Sequence, residues 1–249
     1  MSSLVRIVVG NNYAAFAQYG SVVTFSEIEH ELERLEPQHI LVAGQGLSDE
    51  QRAKLTALGA SKPGPLVLGA EPLAPRELTH KALSANTLCS SPVRIPGTTT
   101  YRSTLQCASA VDRLADHSTG QHVNGMLLIE ATRQAGTASI EAHFLQQDPR
   151  KWGFAWGRCD TRFLRFAFPV PTEIRVHMPE IPDFAQLSQI PMTVPIVAEQ
   201  AGSPVCEVLM EVTLIEAGLL AKLETRKAKQ TVAAVVSQAE ATQVLAQPA

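Results

Sequence analysis

A long apolar segment from Asn124 to Phe144 constrains the fold most, because its residues have helical spacing and strand-like runs lie on both sides of it. One such run, Tyr101–Cys107, precedes the segment. Five more follow it: Phe154–Cys159, Phe163–Phe168, Ile174–Met178, Met192–Glu199 and Val205–Ile215. The turn Gln200–Ser203 joins the last two as a hairpin. This order predicts an α+β domain with a mostly antiparallel sheet and one central helix.

The first part of the chain has a different pattern, in which strands and helices alternate. Short β-rich runs lie at Val5–Val9, His39–Ala43 and Pro65–Leu68. Capping boxes that begin at Ser26 and Ser48 start the two helices between these runs. This order predicts a small parallel α/β domain. Its glycines form neither a dinucleotide-binding fingerprint nor a P-loop, so we expect a docking or stabilising role rather than a nucleotide site.

Bulk composition excludes several classes of function. The net charge of −3 gives no reason to expect nucleic-acid binding. No run of ~18 apolar residues is present, so no membrane span is expected. The N-terminus lacks the layout of a signal peptide, and the four cysteines form no CxxC pair and no cluster with metal-ligand spacing. We therefore expect a cytoplasmic protein with reduced thiols and with neither a metal nor a cofactor.

A polar loop with two histidines leads directly into the central helix. Asn124 is a natural N-cap, and the apolar residues after it would bury most of the first two turns. Glu130 is then anomalous, because a carboxylate in a buried helix is costly unless it has a partner. Arg133 and Gln134 follow at i+3 and i+4 and share its helix face. The spacing therefore predicts that these three side chains form a cluster.

Two interpretations of this cluster stay open from the residues alone. In the first, Glu130 and Arg133 line a polar pocket and act on a polarised carbonyl, as acyl-thioester chemistry requires. His117 or His122 would then reach in from the loop. In the second, Glu130 and Arg133 form a structural salt bridge capped by Gln134, and the two histidines are solvated loop residues.

The run from His122 to Ala135 resembles a motif of the A-factor biosynthesis hotdog family, the γ-butyrolactone synthases of quorum signalling. It is similar to the second of that family's two hotdog repeats. There, His-Val-Pro-Gly-Met leads into Glu-Ala-x-Arg-Gln-Ala, and Asn124 stands here in place of the proline. Arg162–Phe166 resembles the family's next strand, and His80-Lys81 faintly resembles its opening motif.

The resemblance implies a fold, an activity and partners. The fold is a single hotdog domain, an antiparallel sheet wrapped around a central helix, with the small α/β domain before it. The family transfers a β-ketoacyl group from acyl carrier protein to the hydroxyl of dihydroxyacetone phosphate. The resemblance therefore implies that this protein takes its acyl group from an acyl carrier protein or acyl-CoA. It also implies a small hydroxylated acceptor, with or without a phosphate, and a role in signal or secondary-metabolite synthesis. Hotdog sites usually form between two hotdogs and this chain has room for one, so we expect a homodimer.

Four segments and eight site residues are predicted in this way. The segments are the α/β domain at residues 1–70, a proline-rich linker at 71–85, the hotdog domain at 86–217, and a C-terminal helix with a flexible tail at 218–249. The residues matching Glu130 and Arg133 are thought to be essential in the family. The expected catalytic residues are Glu130, Arg133, His117 and His122. The expected substrate-binding residues are Gln134, Asn124, Gly125 and Met126.

Two other classes of function stay open. The loop and helix more distantly resemble β-hydroxyacyl-carrier-protein dehydratases. With a one-residue gap, His117 would match their catalytic histidine and Glu130 their catalytic acid. The same fold would then catalyse dehydration or thioester hydrolysis. The third hypothesis is a non-catalytic acyl-binding or scaffold protein. A buried charge pair argues against it, since a purely hydrophobic ligand would not require one.

Overall fold

The computed structural model describes residues 5–61, 64–108, 119–146, 148–180 and 186–245, with side chains as far as residue 238. His117, one of the predicted site residues, lies outside these ranges. Within them, two sheets define the architecture. A four-stranded sheet lies in the N-terminal part, and a six-stranded sheet lies in the rest.

The N-terminal sheet is parallel throughout, in the strand order β2-β1-β3-β4. Its strands are β1 (Val5–Val9), β2 (Val22–Thr24), β3 (Ile40–Ala43) and β4 (Leu66–Leu68). Its helices are α1 (Phe25–Ile28), a 3-10 continuation (Glu29–Arg34) and α2 (Asp49–Ala60). The predicted parallel α/β unit is therefore present. The pattern missed β2, a strand of three residues that leads directly into α1.

Hydroxyl side chains start both helices of this unit. Ser48 Oγ accepts from the Gln51 amide at 3.2 Å and Gln51 Oε1 accepts from the Ser48 amide at 3.0 Å, so this capping box is confirmed. The box predicted at Ser26 is wrong, because Thr24 is the N-cap and Glu27 is its reciprocal partner. Thr24 keeps an extended backbone, whereas Ser26 already lies inside the helix, so only Thr24 can accept from the first turn.

The second sheet is antiparallel throughout, in the strand order β5-β6-β8-β9-β10-β7. Its strands are β5 (Val93–Arg94), β6 (Thr100–Thr104), β7 (Trp152–Phe163), β8 (Glu173–His177), β9 (Gln189–Gln200) and β10 (Ser203–Glu216). The predicted hairpin joins β9 to β10 through Ala201 and Gly202, whose φ angles are 48° and 74°. Two successive positive φ angles are typical of a type I′ turn.

Strand β7 differs from the pattern, which predicts two separate strands in this region. The structure has one strand over Trp152–Phe163, and the second strand predicted at Phe163–Phe168 is wrong. A register shift at Gly157 absorbs an extra residue, so the ladder with β10 continues past it. The chain then leaves the sheet toward the central helix, where Ala167 O accepts from Val123 N at 2.7 Å.

The central helix α4 covers Gly125–Ile140 and continues as a π-helical turn at Glu141–Leu145. Asn124 caps it, as predicted, by accepting from the Met126 amide at 2.8 Å. One face of the helix is buried on the sheet. A Cβ at Gly136 would lie 2.9 Å from side chains of both β9 and β10, so glycine permits this close approach. An antiparallel sheet packed around one buried helix is the hotdog fold, and the parallel unit precedes it.

The edge of the parallel sheet where its strands end packs against the hotdog domain. Gln45, which follows β3, donates from Nε2 to Leu105 O at 3.0 Å, and its Oε1 accepts from Cys107 N at 2.9 Å. Its backbone amide donates to Pro169 O at 3.0 Å. Ligands of open parallel sheets usually bind beyond the carboxyl ends of the strands. Here the hotdog domain takes that position.

Two further segments complete the described chain. Residues 71–85, where a linker is predicted, contain helix α3 (Arg76–Thr79), and Ala74 N donates to Cys89 O at 2.9 Å, so this segment lies against the hotdog domain. The C-terminal helix α5 covers Ala217–Leu245 and is mostly exposed where its side chains are described. None of the helices in the described ranges is long and apolar enough to cross a lipid bilayer.

Candidate active site

Glu130, in the middle of the central helix, is the centre of a charged cluster. Arg133 binds it through two parallel hydrogen bonds, Nε to Oε2 and Nη2 to Oε1, both 2.8 Å long. Gln134 Nε2 donates to Glu130 Oε1 at 3.0 Å. The side chains of Arg133 and Glu130 are 23% and 19% exposed. The three side chains that share a helix face therefore meet in one half-buried cluster.

A second cation reaches the same carboxylate from outside the helix. Lys81, which lies between α3 and β5, forms an ion pair through Nζ with Glu130 Oε1. The contact joins distant parts of the sequence, so no local spacing indicates it. The one signal is the faint resemblance of His80-Lys81 to the family's opening motif. With Lys81 and Arg133 on one carboxylate, the cluster carries a surplus positive charge.

Gln134 is fully buried and ties the central helix to the segment before β5. Its Nε2 also donates to Asn86 O at 2.9 Å, and its Oε1 accepts from Leu88 N at 2.8 Å. Together with the bond to Glu130, these partners occupy most of the bonding capacity of one amide. Gln134 was predicted to bind substrate, but its polar atoms are directed at protein groups. Its role in the structure is to hold Glu130 in place and to join the helix to the segment before β5.

The Glu130 carboxyl is held in its ionised form. Burial raises its pKa, but the hydrogen bonds from Arg133, Lys81 and Gln134 outweigh burial and lower the pKa to about 2. A carboxylate with so low a pKa has little tendency to take up a proton near neutral pH. The geometry therefore favours Glu130 as the anchor of the two cations and leaves proton transfer to another group.

The cluster opens toward the edge strand β7. Met126, Ile129, Glu130 and Arg133 follow one another at i, i+3, i+4 and i+7, along the one helix face that is not fully buried. The guanidinium carbon of Arg133 lies 5.9 Å from the ring centroid of Trp156 on β7, within the range of a cation–π contact. The Trp156 side chain is itself 40% exposed. The site thus faces solvent beside the outer edge of the sheet.

A groove of about 490 Å³ lies at the start of the central helix. Its lining is mostly apolar and includes Leu128, Phe163 and Phe166, together with Gly125 and His122. A Cβ on Gly125 would lie 2.9 Å from Phe163 Cζ, so the missing side chain lets the ring lie against the helix. The volume is in the range of roughly 300–1,000 Å³ that is common for small-molecule sites.

His122 lies in this groove, apart from the charged cluster. Its Nδ1 is 3.3 Å from Thr119 Oγ1, and its ring centroid is 5.1 Å from that of Phe166. Within the described part of the chain, the hydrogen bonds of Glu130 and Arg133 do not include His122. The predicted site residues that the structure describes therefore fall into two groups, one in the charged cluster and one in or beside the groove. Asn124, predicted to bind substrate, uses its Oδ1 as the helix cap.

No metal site or reactive thiol accompanies the cluster in the part of the chain that the structure describes. No group of three or more His, Cys, Asp or Glu side chains there has an arrangement that could hold a metal ion. The thiol of Cys89 is fully buried, and burial raises its pKa to about 12 in spite of the nearby Arg133 cation. Because the thiolate is the nucleophilic form, Cys89 is not suited to covalent catalysis.

Three solved structures have a similar fold at low identity. A dehydratase heterocomplex from Xenorhabdus doucetiae has a TM-score of 0.46 and 12% identity, over 59% of this chain and 94% of that chain. A conserved protein from Pseudomonas aeruginosa has a TM-score of 0.40 and 15% identity, over 57% of this chain and 100% of its own. A hot-dog-like protein from Thermanaerovibrio acidaminovorans has a TM-score of 0.40 and 15% identity, over 53% of this chain and 93% of its own. A search of curated proteins found no match.

A family model, the A-factor biosynthesis hotdog domain, matches residues 69–216, which is more than half of the chain. The matched range contains the whole six-stranded sheet and the central helix. It also contains all four members of the charged cluster, Lys81 included. The chain therefore belongs to the A-factor biosynthesis hotdog family.

Proposed function

We propose that this protein transfers a β-ketoacyl group from a carrier-protein or CoA thioester to the hydroxyl of a small acceptor, in signal or secondary-metabolite synthesis. The observation that carries the proposal is the surplus positive charge at Glu130, where Lys81 and Arg133 share one carboxylate. Membership in the A-factor biosynthesis hotdog family supports the acyl-thioester class.

The two cations are suited to stabilise the charge that develops during acyl transfer. Attack on a thioester carbonyl builds negative charge on its oxygen, and donors already in place in a partly dry site stabilise that charge strongly. The two hydrogen bonds to Glu130 fix the plane of the Arg133 guanidinium. Lys81 supplies a compact second charge, which can also pair with a phosphate on the acceptor.

The apolar groove at the start of the helix is suited to hold the acyl chain. Leu128, Phe163 and Phe166 give it an apolar lining, and the neighbouring Met126 side chain is 54% exposed. Glu130 follows Gly125 by little more than one helical turn, about 8 Å along the axis. A chain bound in the groove could therefore present its thioester to the cluster. His122, predicted to assist catalysis, would then lie beside the chain.

A second copy of this chain would complete the site. β7 has 12 residues and, in the part of the chain that the structure describes, pairs only with β10. Trp156 and Phe163 on this strand are 40% and 53% exposed. Long edges that carry large apolar side chains are usually covered, and a twofold axis at β7 would bring two charged clusters to one interface. Sedimentation equilibrium tests this, and a monomer at assay concentration would contradict it.

The proposed reaction is tested by mass spectrometry of the purified protein mixed with a β-ketoacyl thioester, with and without dihydroxyacetone phosphate. We expect an ester of the acceptor that forms only when the acceptor is present. A free acid would instead indicate a thioesterase. In a parallel reaction with a β-hydroxyacyl thioester, an enoyl product would indicate a dehydratase. A thioester that is bound but unchanged would support a binding protein and contradict the proposal.

A further inference from the structure

Acyl transfer to a hydroxyl requires a proton acceptor, and the charged cluster does not supply one. The acceptor's hydroxyl must lose its proton as its oxygen attacks the thioester carbonyl. Glu130 already accepts from three side chains, and those bonds hold its carboxyl in the ionised form. The inference that follows rests on the proposed function, because it assigns the group that takes this proton.

An imidazole paired with a carboxylate lies directly beside the cluster. His80 precedes Lys81 in sequence, and its Nε2 is 2.7 Å from Glu141 Oε1 at the end of the central helix. An ionised carboxylate can only accept, so Nε2 carries the proton and Nδ1 presents its lone pair. Among the described residues, Nδ1 of His80 has no hydrogen-bond partner, and the side chain is 38% exposed. A carboxylate that fixes the tautomer of a histidine is the usual support for a general base.

The face of β7 places this pair next to the cation cluster. The His80 ring packs edge-on against Phe154, with ring centroids 4.7 Å apart, and Arg133 lies over Trp156. Phe154 and Trp156 are two residues apart on one strand, so they point to the same face at a spacing of about 7 Å. The imidazole and the guanidinium therefore lie over neighbouring aromatic rings on the same side of the sheet.

The backbone at His80 adopts an unusual conformation that produces this arrangement. His80 ends helix α3 with φ 54° and ψ 45°, a left-handed region that residues with a Cβ seldom occupy. The turn directs two successive side chains at two carboxylates of one helix, His80 at Glu141 and Lys81 at Glu130. Glu141 is the first residue of the π-helical turn. Such backbone outliers and π-turns concentrate at functional sites.

We propose that His80, oriented by Glu141, is the proton acceptor of the acyl transfer. Nδ1 of His80 takes the proton of the acceptor's hydroxyl while the hydroxyl oxygen bonds to the thioester carbonyl carbon. The carbon–sulfur bond then breaks, and sulfur leaves with the electron pair. The imidazolium returns the proton to the thiolate, which gives the free thiol and the ester. His122 is a weaker candidate, because it lies in the groove with its Nδ1 facing Thr119.

The test is the variant His80→Gly with added imidazole. Glycine adopts the left-handed conformation readily, so the fold is kept while the imidazole is removed. We expect kcat for ester formation to fall on the order of 10²–10⁴-fold, the usual contribution of a general base, and excess free imidazole to restore part of it. The thermal midpoint should change by only a few degrees, because relief of the left-handed backbone offsets the lost contacts with Glu141 and Phe154. Rescue by imidazole separates proton transfer from a positioning role, which the free base would not replace.

Two histidine variants are the matched controls. His177→Ala removes an exposed imidazole on β8 that contacts Thr100, and it should leave both kcat and the response to imidazole unchanged. His122→Ala removes the rival base. The inference is overturned if His80→Gly keeps near-normal kcat, if free imidazole does not restore a lost kcat, or if His122→Ala shows the imidazole-dependent rescue instead.

The failure of this inference and that of the proposed function give different results. If the wild-type protein forms the acceptor ester and His80→Gly forms it equally fast, only the role of His80 is wrong. If the wild-type protein forms no ester with any hydroxylated acceptor, the transfer reaction is wrong and the assignment of His80 fails with it.

Discussion

The interface between the two domains and the cluster at Glu130 are both polar, but they differ in burial and in charge balance. At the interface, the neutral side chain of Gln45 bonds only to backbone groups of the hotdog domain. Close by, Arg52 is buried and donates to the carbonyls of Gly69 and Gly44. At the cluster, two cations share one carboxylate and a positive charge is left over.

This difference separates polar groups that hold the fold from polar groups that can still bind a ligand. Burial lowers the pKa of Arg52, and the carboxylates of Glu71 and Asp49 offset this shift only in part. Its donors are nevertheless directed at carbonyls, and its side chain is shielded from solvent. Arg133 has a carboxylate partner and remains 23% exposed beside β7. Two arginines in one chain are thus suited to different tasks by their surroundings.

In the comparison of these two regions, the largest expected effect is the loss of activity in Arg133→Met. Methionine keeps the apolar stem but removes the cation proposed to stabilise the oxyanion, so kcat/KM for acyl transfer should fall about 10²–10³-fold. The free energy of unfolding should fall by about 1 kcal/mol, because Glu130 loses its two bonds from Arg133 but keeps those from Lys81 and Gln134. Product formation by mass spectrometry and urea denaturation measure the two quantities.

Arg175→Met is the matched control for Arg133→Met. Arg175 is an exposed arginine on β8, away from the proposed interface at β7, and it pairs with Glu173 and Glu199. Its loss should leave kcat/KM unchanged. Near-normal turnover in Arg133→Met would contradict the proposed site and would leave the pair with Glu130 as a structural salt bridge.

The opposite result is expected for Gln45→Ala at the domain interface. The change leaves Cys107 N and Leu105 O without their buried partner, and each unsatisfied group costs about 1–3 kcal/mol. The free energy of unfolding should therefore fall by about 3 kcal/mol, while kcat of the folded protein stays the same. Gln38→Ala, at an exposed glutamine, is the control and should change stability by less than about 0.5 kcal/mol. A loss of turnover without a loss of stability would contradict the distinction between the two regions.

The sequence could predict the contacts that helix geometry fixes but not those that the tertiary fold makes. Glu130, Arg133 and Gln134 were found because residues at i, i+3 and i+4 share a face in any helix. Lys81 was missed as a site residue because its contact with Glu130 depends on how the segment after α3 packs on the central helix. The docking role of Gln45 was likewise invisible, since its partners lie in another domain.

The same limit explains the errors in the secondary structure. The sequence predicts a break in β7 because the polar run Asp160–Arg162 separates two apolar stretches, whereas the pairing with β10 continues through these residues. The helix that Ser26 was expected to cap begins at Phe25 and has Thr24 as its N-cap, because β2 ends at Thr24. The boundary of β7 is set by its partner strand β10, and the start of α1 is set by the strand before it. In both places, the sheet decides the boundary more strongly than the local residues do.

A third variant, Glu130→Gln, tests the charge balance of the cluster through pH. The pKa of Glu130 is lowered from 4.5 to about 2 in the folded protein, so its ionised form stabilises the fold above pH 4.5 and that stability is lost as the pH falls through 2. The shift corresponds to roughly 3 kcal/mol, which screening in a partly exposed cluster reduces to about 2 kcal/mol.

Urea denaturation of wild type and Glu130→Gln over this pH range measures the effect. Near neutral pH, the variant should be less stable by about 2 kcal/mol, because the two cations lose their shared carboxylate. The difference should shrink progressively as the pH falls from about 4.5, where the unfolded chain begins to take up the proton, to about 2, where the folded carboxyl becomes neutral as well. A difference that does not change with pH would mean that Glu130 stabilises the fold by its shape and not by its charge.

The smallest expected effect concerns the groove, the one apolar part of the proposed site. In Gly125→Ala, the new Cβ would lie 2.9 Å from Phe163 Cζ, and this ring is 53% exposed, so it can move into the groove without disturbing the core. Stability should therefore change by less than about 1 kcal/mol, since overpacking costs little where a neighbour is free to shift. If the groove holds the acyl chain, a loss of about 1 kcal/mol in binding raises KM by about fivefold for long chains and leaves short chains unaffected. Gly157→Ala is the control, because a Cβ at this position on β7 would lie 3.6 Å from Glu211 O on β10, an ordinary contact distance. An equal change in KM for all chain lengths would place the acyl chain elsewhere, and the charged cluster would then be the only part of the site to which the substrate is assigned.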